Sequence, residues 1–227
     1  MTNELIFLAQ TAVVGTATLG ALALGAEALV ALICAECVLA NLFVLKQTTL
    51  FGLNATCSDA FTIGATLGLN VLQEYFGRAI ARKTIWINFF VLVAYAIFSR
   101  IHLLYQPSAF DIMQESYCTI LFVMPRIVIA SFTVYLIAQS VDYYLYGILK
   151  RSTHPWPLVV RNYASMLVSQ LVDTVLFTFL GLYGLVENLW QIIVISYTIK
   201  VVAILLQTPF VALSRRVYRS LASVQAD

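Results

Sequence analysis

Residues 158–183 read LVVRNYASMLVSQLVDTVLFTFLGLY, a run whose charges are Arg161 and Asp173 alone. A helix needs about 20 predominantly apolar residues to cross the hydrocarbon core of a bilayer, so this stretch is long enough to span. Its polar residues are ordered. Asn162, Ser165, Ser169 and Asp173 lie three, four and four residues apart, which at about 100° per residue places them on one helical face. Serine and asparagine on such a face commonly bond neighbouring spans. An aspartate is different: at membrane depth it costs roughly 2.5–3.5 kcal/mol on insertion scales, and it is rare without a function or a partner.

The segment Gln170-Leu171-Val172-Asp173 has a counterpart, Gln139-Ser140-Val141-Asp142, in the preceding apolar run. There one face carries Ser131, Tyr135, Gln139 and Asp142. Tyrosine and glutamine side chains can stack on and hydrogen-bond a flat heteroaromatic ligand. Pro125, beside Arg126, is expected to disturb the outer end of that helix and to open backbone groups to a cavity.

Working outward, apolar runs fall near 5–25, 27–45, 58–77, 83–104, 117–147, 158–183 and 189–213. The expectation is an all-α bundle of seven transmembrane helices in one domain over residues 1–220, with a short polar tail at 221–227. Continuous runs argue against a spanning barrel, which needs short alternating segments. The composition agrees: 61% of residues are hydrophobic and 11% charged. Ordinary soluble domains carry about 25% charged residues, and so few charges cannot cover a soluble surface of this size. A net charge of +2, with the basic residues placed between apolar runs, gives no nucleic-acid-binding face. Met1-Thr2-Asn3-Glu4 has no basic n-region, so the first run reads as a retained span.

Basic residues orient the bundle. Arg78, Arg82, Lys83, Lys150, Arg151, Arg161, Arg215, Arg216 and Arg219 fall on one side of a seven-span arrangement, and Lys46 and Arg100 on the other. The positive-inside rule then puts the N-terminus outside and the C-terminus in the cytoplasm. Trp86, Trp156 and Trp190 sit near span ends and read as interfacial anchors.

Five charges remain within spans: Glu36, Arg126, Asp142, Asp173 and Lys200. Unpaired, they would cost on the order of 15 kcal/mol at about 3 kcal/mol each, so they must face each other, water or a substrate. Glu36, Asp173 and Lys200 are each central in their runs, and a midplane cluster of two carboxylates and one ammonium is expected. Gly64-Ala65-Thr66-Leu67-Gly68 is a GxxxG packing motif. Cys34 and Cys37 form a CxxC within a span, where small packing residues are favoured over metal or redox chemistry. Cys57 and Cys118 both map to the outer side, where a disulfide is compatible with the compartment. His102 and His154 have no metal-ligand spacing, and no P-loop, GxSxG or dinucleotide fingerprint is present.

Several motifs together resemble one family. Glu74-Tyr75-Phe76-Gly77 followed by Ala81-Arg82-Lys83-Thr84-Ile85-Trp86 is similar to the acidic-tyrosine-glycine and Ala-Arg-Arg signature of the queuosine-precursor transporters, also called the vitamin uptake transporter family. So are Pro125 to Ser131 followed by Gln139 and Asp142, Arg161 to Ser165 followed by Ser169-Gln170 and Asp173-Thr174, and Ile199-Lys200-Val201. The resemblance covers about residues 26–216. One departure stands out: the family often has an acid four residues before the glutamate of its Glu-Tyr-Gly motif, and here that position is Asn70.

The resemblance implies uptake of 7-deazaguanine bases (the cyano or aminomethyl precursors, or queuine) across a bacterial cytoplasmic membrane, with no cofactor. It adds Asn70, Glu74 and Gln170 to the candidate substrate-binding residues Glu36, Arg126, Ser131, Tyr135, Gln139, Asp142, Asn162, Ser165, Ser169, Asp173 and Lys200. The expected partners are a small-molecule substrate and the lipid bilayer, with homo-oligomer formation left open. Two rivals stand beside this reading. One is a carrier or capture subunit for another small vitamin-like molecule. The other is an intramembrane enzyme using Asp142 and Asp173, against which neither aspartate has the Gly-x-Gly-Asp motif of an aspartyl intramembrane protease.

Overall fold

A computed structural model describes residues 2–152 and 158–224, except for the side chains of 139, 142–143, 146–147, 150–152, 158–163, 203–212 and 219–224. Eight helices are described: α1 (Asn3–Leu24), α2 (Ala26–Phe43), α3 (Asp59–Phe76), α4 (Arg78–His102), α5 (Gln114–Leu121), α6 (Met124–Ser152), α7 (Leu158–Leu182) and α8 (Leu189–Val224). They form a polytopic helical bundle in which α2 packs along α3 and α6 along α7.

Five segments are long and apolar enough to cross a membrane: Asn3–Leu24, Ala26–Phe43, Arg78–His102, Gln114–Ala138 and Ala164–Leu182. The other two expected runs fall short of that standard for identifiable reasons. Helix α3 carries Asp59 and Glu74 at its ends, and the apolar described part of α8 is the shorter stretch Leu189–Val202.

Breaks between helices follow the backbone chemistry. Helices α1 and α2 part at Gly25, whose φ of 111° is open to glycine and strained for other residues. The long fifth run divides just before Pro125, the second residue of α6. In a first turn the missing proline N–H is not needed by the helix, so the break comes at the proline's N-terminal side.

One element was not anticipated. Residues Gln47–Leu50 (β1) and Leu53–Thr56 (β2) pair as an antiparallel hairpin, with Leu50 opposite Leu53. Its two-residue turn, Phe51-Gly52, has φ of 50° and 78°, the double left-handed geometry of a type I′ turn. The usual Asn-Gly signal is replaced by Phe-Gly, which hides the turn in the sequence. The hairpin is fastened at both ends. The Phe51 N–H donates to Glu4 Oε1 at 3.0 Å, and the Asn54 N–H donates to Gln191 Oε1 at 3.2 Å. Leu50 and Ala55 are buried with Ile63, Ile195 and Ile199.

The glycine motif packs as expected. A Cβ on Gly64 would stand 2.1 Å from Val14 Cγ1, and one on Gly68 would stand 2.8 Å from Ile33 Cγ1. Their absence lets α1 and α2 approach α3 closely. The four cysteines are free, so Cys57 and Cys118 are not bonded to each other. Trp86 and Trp190 are exposed near helix starts; Trp156 lies outside the described residues.

Candidate substrate site

A cavity of about 240 Å³ lies among α2, α3, α4, α6, α7 and α8. One water needs roughly 10–15 Å³ of such space, so the cavity has room for far more than a single water. The end of the hairpin and its connection to α3 close part of the wall through Thr56 and Ser58.

Lys200 supplies the cavity's ammonium. Its Nζ donates to Asp173 Oδ2 at 2.7 Å and to Thr174 Oγ1 at 3.1 Å, and its side chain is largely buried. An unpaired ammonium at this depth would be costly; two acceptors from α7 offset that cost. The expected cluster of two carboxylates and one ammonium therefore forms, with one change of member. The second carboxylate near Lys200 is Asp59, at the start of α3, rather than Glu36. Asp59 is buried and accepts a hydrogen bond from Ser196 Oγ at 2.9 Å.

Of the sequence-derived candidates, Ser131, Tyr135, Asp173 and Lys200 line this cavity. Ser131 Oγ donates to Asn41 Oδ1 at 3.0 Å, and Asn41 Nδ2 donates to the Cys37 carbonyl at 2.7 Å. This relay fixes both polar groups on the wall. The side chains of Gln139, Asp142 and Asn162 lie outside the described residues.

The remaining candidates stand elsewhere. Ser165 and Ser169 are buried, and Ser169 Oγ donates to the Met166 carbonyl at 2.9 Å; neither lines the cavity, nor does Gln170. Asn70 and Glu74 are on the exposed face of α3. Arg126 is at the middle of the apolar segment Gln114–Ala138 and does not line the cavity. It begins α6, and its guanidinium donates to the Leu180 carbonyl at 3.1 Å and the Tyr183 carbonyl at 2.7 Å. Carbonyls in a helix's last turn lack intrahelical partners, so Arg126 serves as an outside cap for α7. Glu36 is buried on α2 against Gly64, away from the cavity lining.

The motif Glu74-Tyr75-Phe76-Gly77 has a packing role. Tyr75 Oη is 2.8 Å from Ser214 Oγ, and its ring stacks on Tyr218 at 4.5 Å, tying α3 to the far part of α8. Gly77, with φ of 91°, turns the chain into α4.

Sequence reasoning missed Asp59, Asn88 and Asn41. Asn88 Oδ1 is a buried acceptor on the cavity wall with no hydrogen-bond partner. A usable signal existed for Asp59: it is an acid at the very start of an apolar run. For Asn88 the signal was a sparse polar face on α4, where Thr84, Asn88, Tyr95 and Ser99 lie four, seven and four residues apart. Beside Asn88, the rings of Phe89 and Phe132 stack at 3.7 Å, giving this wall an apolar, aromatic surface.

Helices of spanning length around a largely apolar cavity that carries a few polar groups define a multi-pass membrane protein. Residues 60–214 match the family described as "Putative vitamin uptake transporter". The probable queuosine precursor transporter of Bacillus subtilis (strain 168) is 36% identical over 178 residues, covering 76% of this chain and 77% of that one. The chain belongs to this vitamin uptake transporter family. No solved structure matches it.

Proposed function

We propose that this protein imports queuosine precursors, 7-deazaguanine bases such as the 7-cyano or 7-aminomethyl compound or queuine, across a bacterial cytoplasmic membrane. The carrying observation is the unpartnered Asn88 Oδ1 on the same cavity wall system as the Asp173 carboxylate. Buried acceptors left without donors are costly and call for a ligand that supplies N–H groups. A guanine-like edge presents two, the ring N–H and the exocyclic amine, which match acceptor oxygens much as a fork-shaped donor matches a carboxylate.

Phe89, Phe132 and Tyr135 supply the apolar surface that a flat bicyclic ring requires. Lys200 holds Asp173 in place and offsets its charge, so that the carboxylate accepts donors without carrying a bare buried charge. The chain acts as a carrier, with the C-terminus in the cytoplasm and the hairpin side outside. The Bacillus subtilis relative named as a queuosine precursor transporter supports this substrate class. Competition uptake in cells deleted for their own precursor uptake tests it. The three 7-deazaguanine bases should compete for labelled uptake, and adenine should not. Failure of all three bases to compete would remove the substrate assignment.

A further inference from the structure

Glu36 is 3% exposed at the centre of α2, and neither of its carboxylate oxygens has a hydrogen-bond partner. It sits in the notch left by Gly64, where an added Cβ would come within 2.8 Å of Glu36 Oε1. It is not part of the substrate site. The cavity face of α2 carries Ile33, Cys37, Ala40 and Asn41, and Glu36 is turned from that face toward α1 and α3. We propose that Glu36 is the proton-carrying residue of the transport cycle, seated here as the neutral acid and ionised in an alternate conformation.

The surroundings support this. On α2 itself the neighbouring titratable groups are Cys34 and Cys37. Helices α1 and α3 meet Glu36 with Val14 and Gly64, and their acids, Glu4, Asp59 and Glu74, stand near helix ends. From α6, Tyr135 lies beside Cys37; from α4, Tyr95 packs against the buried cluster that includes Val44, just past the end of α2. No ammonium or guanidinium among the described residues acts on Glu36. An ionised carboxylate with neither water, donor nor cation is not sustained in such a place, whereas the neutral acid is.

Even the neutral acid leaves a donor and an acceptor unpaired, so the residue adds nothing to stability that a leucine would not. A carboxyl group in this position serves a step in which it changes charge. To release its proton it must reach water, and the adjoining face of α2 borders the cavity. Moving Glu36 out of the Gly64 notch therefore joins deprotonation to a rearrangement of the wall that holds the substrate. The proton enters from the outer water, rides on Glu36, and leaves to the cytoplasmic water.

The proposal uses a 7-deazaguanine base as its reporter and to that extent rests on the reading above, so one arm of its test needs no substrate. In that arm, infrared spectra of purified protein in membranes should show a protonated-carboxyl stretch that is missing from Glu36→Gln. In the second arm, proteoliposomes receive labelled 7-aminomethyl-7-deazaguanine. With acid outside, wild-type vesicles should accumulate it, by at most about tenfold per pH unit for one proton per substrate, and a protonophore should abolish the accumulation. Glu36→Gln mimics the neutral acid and should keep counterflow exchange at equal pH while losing accumulation.

Accumulation retained in Glu36→Gln, absence of the infrared band from wild type, or failure of the glutamine variant to insert would each overturn the proposal. Wild-type vesicles that carry no 7-deazaguanine base would sink the substrate reading instead, and the infrared arm would still decide the role of Glu36.

Discussion

Lys200 and Asp173 meet at 2.7 Å across the interface of α8 and α7, with the lysine also bonded to Thr174. Lys200→Met leaves Asp173 without its ammonium. Breaking a buried pair from one side costs about 3–5 kcal/mol, and the partial exposure of Asp173 to the cavity places this case near the low end. The thermal midpoint in detergent should drop clearly for Lys200→Met and recover in part in the double variant Lys200→Met/Asp173→Asn. Equal loss in single and double variants would show that the pair is not coupled.

The glycine notch gives a contrast within one protein. Gly64→Ala drives a Cβ to 2.1 Å from Val14, whereas a Cβ on Gly20 meets nothing within 4 Å. Overpacking a tight site costs about 1–3 kcal/mol, while alanine in an open helical position is favoured over glycine by roughly 0.5–1 kcal/mol. Gly64→Ala should therefore melt earlier than wild type and Gly20→Ala no earlier. The reverse order would mean that α1 does not pack on α3 as described.

Arg126 separates a capping role from a binding role. Arg126→Ala removes two bonds to carbonyls at the end of α7, worth about 0.5–1.5 kcal/mol each. Stability should fall while the Kd for substrate stays within about twofold, a shift under 0.5 kcal/mol. A Kd raised more than tenfold with an unchanged melting point would return Arg126 to the site.

The side assignment is open to direct labelling. Asn3 Nδ2 donates to the Thr49 carbonyl of the hairpin, so the start of α1 and the hairpin share one side of the bundle. With the basic residues inside, that shared side is expected to face outward. Ser108→Cys, in the exposed α4–α5 loop, should label with a membrane-impermeant thiol reagent in intact cells, and a C-terminal reporter should be active in the cytoplasm. Labelling confined to broken cells, with a reporter active outside, would invert the assignment.

The helices and most of their ends were legible because length and hydropathy are set by the bilayer, and because Gly25, Gly77 and Pro125 punctuate the chain by backbone chemistry alone. The pairing of Lys200 with Asp173 was legible in outline, since an isolated charge in each span demands a partner. Which acid joins them was not: Glu36 is more central in its run than Asp59, but helix rotation turns it toward Gly64. The hairpin escaped because its strands are short and its turn uses phenylalanine at a positive φ. Arg126 lies within its run, where residue counting placed it, but the break at Phe122 also sets it at a helix start, where its guanidinium reaches the carbonyls of a neighbour.

Equilibrium binding of a labelled 7-deazaguanine base to purified wild-type and Asp173→Asn protein tests the central claim most directly. Asparagine nearly preserves shape but replaces one acceptor by a donor, setting N–H against N–H. Losing a charge-assisted hydrogen bond costs roughly 1.5–3 kcal/mol, so the Kd should rise by about 10- to 100-fold in protein that remains folded and monodisperse. Unchanged affinity in the folded variant would contradict the account and leave Asp173 as a structural partner of Lys200.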